Sequence, residues 1–178
     1  MNYGLYVWEV ITYTLITIVS SLIYIYFKYQ DKNKIKRLFV PKNDSIWERL
    51  KVLLSSFFVI KLIEVLSAGF NSNVLFSIFI SIIIISISNP IIFTLIFSNS
   101  KYDIIIQNII TNIISILIGL ITSILIISIQ NLSAVVSYIS ILGILIFIIF
   151  FIVATYFQTD DLIFLDPNSK KNKLKKDS

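Results

Sequence analysis

The chain has 178 residues, of which 57% are apolar and only 14% charged, with a formal net charge of +5. A soluble domain averages about 45–50% apolar and about 25% charged residues, so a water-soluble globule is excluded and a polytopic, all-α membrane protein is expected. With no Cys and no His, there is no disulfide, no thiolate or imidazole metal site and no Ser-His or Cys-His nucleophile pair. No glycine-rich phosphate loop occurs either, so a non-enzymatic protein without metal or cofactor is expected.

Charges and turn residues divide the chain into five apolar stretches, 4–27, 52–70, 74–97, 104–129 and 132–157. At about 1.5 Å per residue, the last three are long enough to cross roughly 30 Å of hydrocarbon. Their apolar runs are unbroken, which favours helices, because a lipid-facing barrel strand alternates. The first stretch lacks a basic leader and a small-residue cleavage site, so it reads as an uncleaved span. Tyr3, Tyr6 and Trp8 at one end and Tyr24, Tyr26 and Tyr29 at the other fit two aromatic belts.

The second stretch decides the topology, since it either crosses or lies on the surface as an amphipathic helix. Each Leu, Ile, Phe or Val contributes about −0.3 to −0.6 kcal/mol to insertion, whereas a central Lys costs about 2.5–3.5. A surface helix gathers its charges on one face. Glu48, Arg49, Lys51, Lys61 and Glu64 instead spread right round the helix, which favours crossing. Five spans also place the basic loop 28–45, Lys101 and the Lys-rich tail on one side. The positive-inside rule then gives a multi-pass cell-membrane protein with its N-terminus outside and its C-terminus cytoplasmic. Four spans plus one interfacial helix is the alternative.

Ser45-Ile46-Trp47-Glu48 has the form of a capping box, so the second helix is expected to start there, with Trp47 as an interfacial anchor. The basic loop before it reads as an ordinary cytoplasmic loop, with a partner-binding epitope as the alternative.

In lipid, helices associate through small residues and polar pairs. The fourth stretch carries Thr111, Ser115, Gly119 and Ser123 at strict i,i+4 spacing, and the fifth carries Ser133, Ser137, Ser140 and Gly143. Only Gln130-Asn131 separates the two stretches, so the seams are expected to face each other within one protomer. A homo-oligomer interface is the second reading.

Intramembrane ionisable groups are costly and mark candidate sites. With five spans, Glu9, Lys61 and Glu64 all lie in the outer half of the membrane. They read either as a binding or coupling site for an ion, proton or zwitterion, or as a structural ion pair with Lys61 snorkelling outward. A second polar set comprises Asn89 before Pro90, with Gln107, Asn108 and Asn112. It reads as interhelical hydrogen bonding, or as a broken-helix substrate site.

Residues 158–178 read as a short, disordered cytoplasmic tail. Asp160-Asp161 is a helix stop in preference to a divalent-cation site. The lysines of 170–176 are drawn to anionic lipid headgroups by about 1 kcal/mol each, and no fold for specific nucleic-acid recognition is present.

Three functions fit these features in a small polytopic bacterial protein. The first acts by binding another membrane component, in an accessory, immunity or exclusion role. The second is a small-molecule binding or transport subunit using Glu9, Lys61 and Glu64. The third is a holin-like permeabilising protein, suggested by the basic tail.

Overall fold

The computed structural model describes residues 3–26, 36–69, 71–97, 103–129 and 132–157. Among them the chain is all-helical: α1 (Tyr3–Tyr26), a 3-10 turn (Lys36–Leu38), α2 (Ile46–Ala68), α3 (Ser72–Phe97), α4 (Ile104–Ile127) and α5 (Ala134–Tyr156). Four of these helices, α1, α3, α4 and α5, are long and apolar enough to cross a membrane. The fifth, α2, has the length but carries Glu48, Arg49, Lys51, Lys61 and Glu64.

Cross-helix bonds fix the topology of the bundle. α1 and α2 run antiparallel along their whole length: Lys61 meets Glu9 at one end, and Tyr24 donates to Asp44, just before α2, at the other. α3 and α4 are also antiparallel, tied at Asn73–Ile129, Ser81–Gly119 and Asn89–Asn112. α5 runs parallel to α3, with Ser137 donating to Ser72 and Gly143 seated on Phe79. It reaches α2 through an aromatic cluster in which Trp47 meets Phe150 and Phe151, and Phe58 meets Phe147 and Phe151.

Two expectations are corrected by this packing. Trp47 is buried in that cluster, not anchored at an interface. The seams of α4 and α5 do not face each other. Gly119 abuts Ile85 of α3 and Tyr13 of α1, while Ser137 and Gly143 lie on α3. A short turn holds two helices together at one end only, whereas small residues select the neighbour whose backbone approaches closest. The turn itself is tied to α3: Asn73 donates to the Ile129 carbonyl at 2.9 Å and accepts from the Leu132 N–H at 3.0 Å.

Local sequence explains the helix ends. Ser45 caps α2 by accepting from the Glu48 N–H at 3.3 Å. Only this arm of the capping box forms, because the Glu48 carboxylate accepts from the Lys42 N–H and the Lys51 ammonium. α2 stops at Gly69, whose φ of +84° suits glycine. α3 continues through Pro90 to Phe97.

The faces that α1 and α4 bury are mainly polar, against an apolar core that includes Leu53, Phe57, Ile82 and Ile85 of α2 and α3, and the bundle's outside is apolar. The buried stripe of α1 is Glu9, Thr12, Tyr13, Ile16, Ser20 and Tyr24, while Val10, Ile11, Leu15, Ile18 and Leu22 point outward. α4 buries Asn108, Thr111, Asn112, Ser115, Gly119 and Ser123 and exposes Ile110, Leu117, Ile121 and Leu125. Water would drive the opposite arrangement; hydrocarbon stabilises this one by leaving hydrogen-bonding groups no better partners than one another. Tyr24 belongs to this interior and not to an aromatic belt, whereas Tyr3, Trp8 and Tyr26 are exposed near the helix ends. Tyr29 lies outside the described residues.

Candidate functional site

Glu9, Thr12 and Tyr13 share one face of α1 by their i, i+3 and i+4 spacing, and Lys61 and Glu64 are i, i+3 on α2. The antiparallel pairing of the two helices closes these residues into one cluster. The Lys61 Nζ donates to Glu9 Oε2 at 2.6 Å, to Glu64 Oε2 at 2.7 Å and to Thr12 Oγ1 at 3.3 Å. All three donors of the ammonium are therefore engaged. Its Nζ also lies 4.3 Å from the centroid of the Tyr13 ring, a cation–π contact.

Lys61 is 2% exposed and Glu9 1%, so the lysine points inward and the snorkelling arrangement is corrected. An ammonium already held between two carboxylates has no reason to desert them for an interface. Two carboxylates and one ammonium carry one excess formal negative charge, and Glu9 Oε1 has no hydrogen-bond partner. Ser123 of α4 lies beside both Glu9 and Tyr13, with neither the Tyr13 nor the Ser123 hydroxyl in a well-formed hydrogen bond. Three helices thus converge on a buried acidic site with acceptor and hydroxyl capacity to spare.

The second polar set lies further along α3 and α4. Asn89 Nδ2 donates to Asn112 Oδ1 at 3.0 Å. Asn108 is on the same face one turn away, and the amide nitrogens of Asn108 and Asn112 and the Thr111 hydroxyl have no partner. Ser115 donates to the Thr111 carbonyl and Ser140 to the Val136 carbonyl, which satisfies each within its own helix. Ser133 is the N-cap residue of α5 without a side-chain cap bond.

A third group escaped sequence reasoning. Lys51 and Glu48 form an ion pair with both side chains 0% exposed. The Arg49 Nε and Nη2 donate to the Asp44 carbonyl at 3.0 and 2.5 Å, and its guanidinium lies 3.7 Å from the Phe93 ring centroid. These residues resemble the charged entry of a helix into a membrane. Their spread around α2 was the available signal, because a helix packed on most sides needs paired charges on most sides. Lys101, Asp160-Asp161 and the basic tail fall outside the described residues.

An open groove of about 360 Å³ on α3 and α4, lined by Ile84, Ile87, Ser88, Ile91, Ile92 and Ile118, is apolar and separate from these polar groups.

Fold and site together define a helical-bundle membrane protein with a charged interior. No family model, curated protein or solved structure matches the chain.

Proposed function

We propose that this is a non-enzymatic, five-span cell-membrane protein, N-terminus outside, that binds or couples a small cation through Glu9, Lys61 and Glu64. The observation that carries the reading is the acidic excess of this buried cluster, with Glu9 Oε1 unpartnered at its edge. A purely structural ion pair gains nothing from a second buried carboxylate, since each buried charge costs several kcal/mol to desolvate. Five crossings draw support from α2 lying lengthwise against α1, a direction an interfacial helix does not take.

The site is tested with dicyclohexylcarbodiimide, which reacts with carboxylic acids in apolar surroundings. The purified protein is expected to be labelled at Glu9 or Glu64 at pH 6, less at pH 9, and not in an E9Q/E64Q variant. Absence of labelling at either carboxylate across that range means a static ion pair and refutes the reading.

The crossing of α2 is tested separately with single cysteines at Ser72 and Ser178 in this cysteine-free chain. An impermeant maleimide added to intact cells is expected to label Ser72→Cys and not Ser178→Cys. The reverse pattern places α2 and both basic segments differently.

Action on another membrane component is the second reading. It is favoured by α5, which exposes Leu142, Leu145, Ile146, Ile149 and Val153 on the bundle's flank.

A further inference from the structure

Resting on the reading of Glu9, Lys61 and Glu64 as a coupling site, we infer that its cargo is the proton, and that the polar interior of α1, α3 and α4 carries protons from that site towards Arg49 and Lys51.

The chemistry of the cluster selects the ion. The Lys61 ammonium already holds the place between the carboxylates that a metal ion would take, 2.6 Å and 2.7 Å from their oxygens. What remains is one excess negative charge and one open acceptor, Glu9 Oε1. A proton fits both: it adds to Glu9, converts the carboxylate to a neutral acid and leaves Lys61 paired with Glu64. The charged or titratable groups described around Glu9 are Lys61 and Glu64 from α2 and Tyr13 from α1. α4 presents the hydroxyl of Ser123.

The route follows from the spacing of polar atoms. Beyond Glu9 stand the hydroxyls of Tyr13 and Ser123, with Ser81 beside Tyr13. Further along the buried face of α4 come Ser115, Thr111 with Asn112, and Asn108. The steps Ser115–Thr111–Asn108 are three or four residues, about 4.5–6 Å along the axis, a gap that one hydrogen-bonded water spans. Ser123 and Ser115 are eight residues, about 12 Å, apart, and only the Ser81 hydroxyl on the Gly119 carbonyl stands between them among the described polar side chains. Six atoms on this path make no well-formed hydrogen bond within the protein, although those of Glu9, Tyr13 and Ser123 adjoin one another: Glu9 Oε1, Tyr13 Oη, Ser123 Oγ, Thr111 Oγ1, Asn112 Nδ2 and Asn108 Nδ2. Their side chains are at least nine-tenths buried. Leaving so many hydrogen bonds unmade in a packing core is costly, whereas a proton route needs them.

The far end is charged. In the register that pairs Asn89 with Asn112, Phe93 falls level with Asn108, and Arg49 stacks on Phe93. Lys51 is neutralised by Glu48, and Arg49 is held by the Asp44 backbone carbonyl and the Phe93 ring. A proton taken from water on the Glu9 side is released to water on the other, with no co-reactant.

The full-length protein is reconstituted into vesicles holding a pH-sensitive dye, and a valinomycin-set potassium potential drives proton entry. Wild-type vesicles are expected to acidify at least tenfold faster than protein-free vesicles. E9Q is expected to remove this flux, and T111V/S123A, which retains side-chain shape and elutes as wild type in gel filtration, to slow it at least threefold. A wild-type rate equal to that of empty vesicles overturns the inference without needing any variant to fold. Unchanged flux in T111V/S123A overturns the route, and release of a co-trapped sulfonated dye replaces it with general permeabilisation. If the carboxylates react with carbodiimide yet no flux occurs, the coupling site stands and proton passage fails. If they do not react, both fail.

Discussion

Replacing Lys61 with methionine is expected to destabilise the bundle by about 3–5 kcal/mol, the usual cost of removing one partner from a buried ion pair. The ammonium is the only cation described in contact with Glu9 and Glu64, and it takes hydrogen bonds to both and to Thr12. Without it, two carboxylates face one another between α1 and α2, and the pair either stays charged at a Coulombic and desolvation cost or takes up a proton. Protonation relieves the repulsion but still leaves a buried charge without the ammonium that held it. Removing the charges together is different. In E9Q/K61M/E64Q no buried charge is stranded, so most of the loss should be recovered, and the triple variant should melt within a few degrees of wild type. Thermal unfolding in detergent, followed by circular dichroism, reads both. Equal stability of K61M and wild type would mean that the ammonium is not held as its 2% exposure implies.

What sequence reading recovered here, and what it did not, has a physical pattern. The membrane class and the helices were legible because apolar runs of 20 or more residues have few other solutions. Glu9, Lys61 and Glu64 were legible because a charge in such a run stands out. Their closure into one cluster required α1 and α2 to pair antiparallel, which the spacing allowed and the structure displays. Arg49 and Lys51 were harder. Near a helix start, a basic residue satisfies the positive-inside rule whether it is exposed or buried, so topology gave no sign that Arg49 is held by the Asp44 backbone carbonyl or that Lys51 pairs with Glu48. Tyr24 was hidden for a similar reason, since a tyrosine at a helix end fits a belt as well as it fits a buried bond to Asp44. The small-residue seams were visible, but their partners were not. Gly119 and Gly143 each mark a close approach without saying whose, and both approaches turned out to be made by side chains of α3, with Tyr13 of α1 added at Gly119.

That geometry makes Gly119 the position where added bulk should do most harm. A Cβ there would lie 2.6 Å from Ile85 Cδ1, 2.8 Å from Ile85 Cγ1 and 3.2 Å from Tyr13 Cε1. Alanine meets chiefly the flexible end of Ile85, which can turn aside, and it gains about 1 kcal/mol of helix propensity over glycine, so G119A should be near neutral. Leucine has no such escape. Its branched end would push between Ile85 and Tyr13, spreading α4 from α3 and α1 together and pulling the Gly119 carbonyl from the Ser81 hydroxyl 3.2 Å away. Overpacking of this kind costs about 1–3 kcal/mol and sometimes more, and displacement of Tyr13 carries into the Lys61 contact 4.3 Å from its ring. At Gly143 even alanine should be harmful, because its Cβ would fall 2.3 Å from the rigid edge of the Phe79 ring. The order G119A mildest, G143A intermediate and G119L most destabilised is expected in thermal unfolding of the purified protein. Gel filtration of the same samples separates this from an oligomer interface: if G119L melts as wild type but elutes as a smaller species, Gly119 joins copies of the chain instead of joining α4 to α3 and α1.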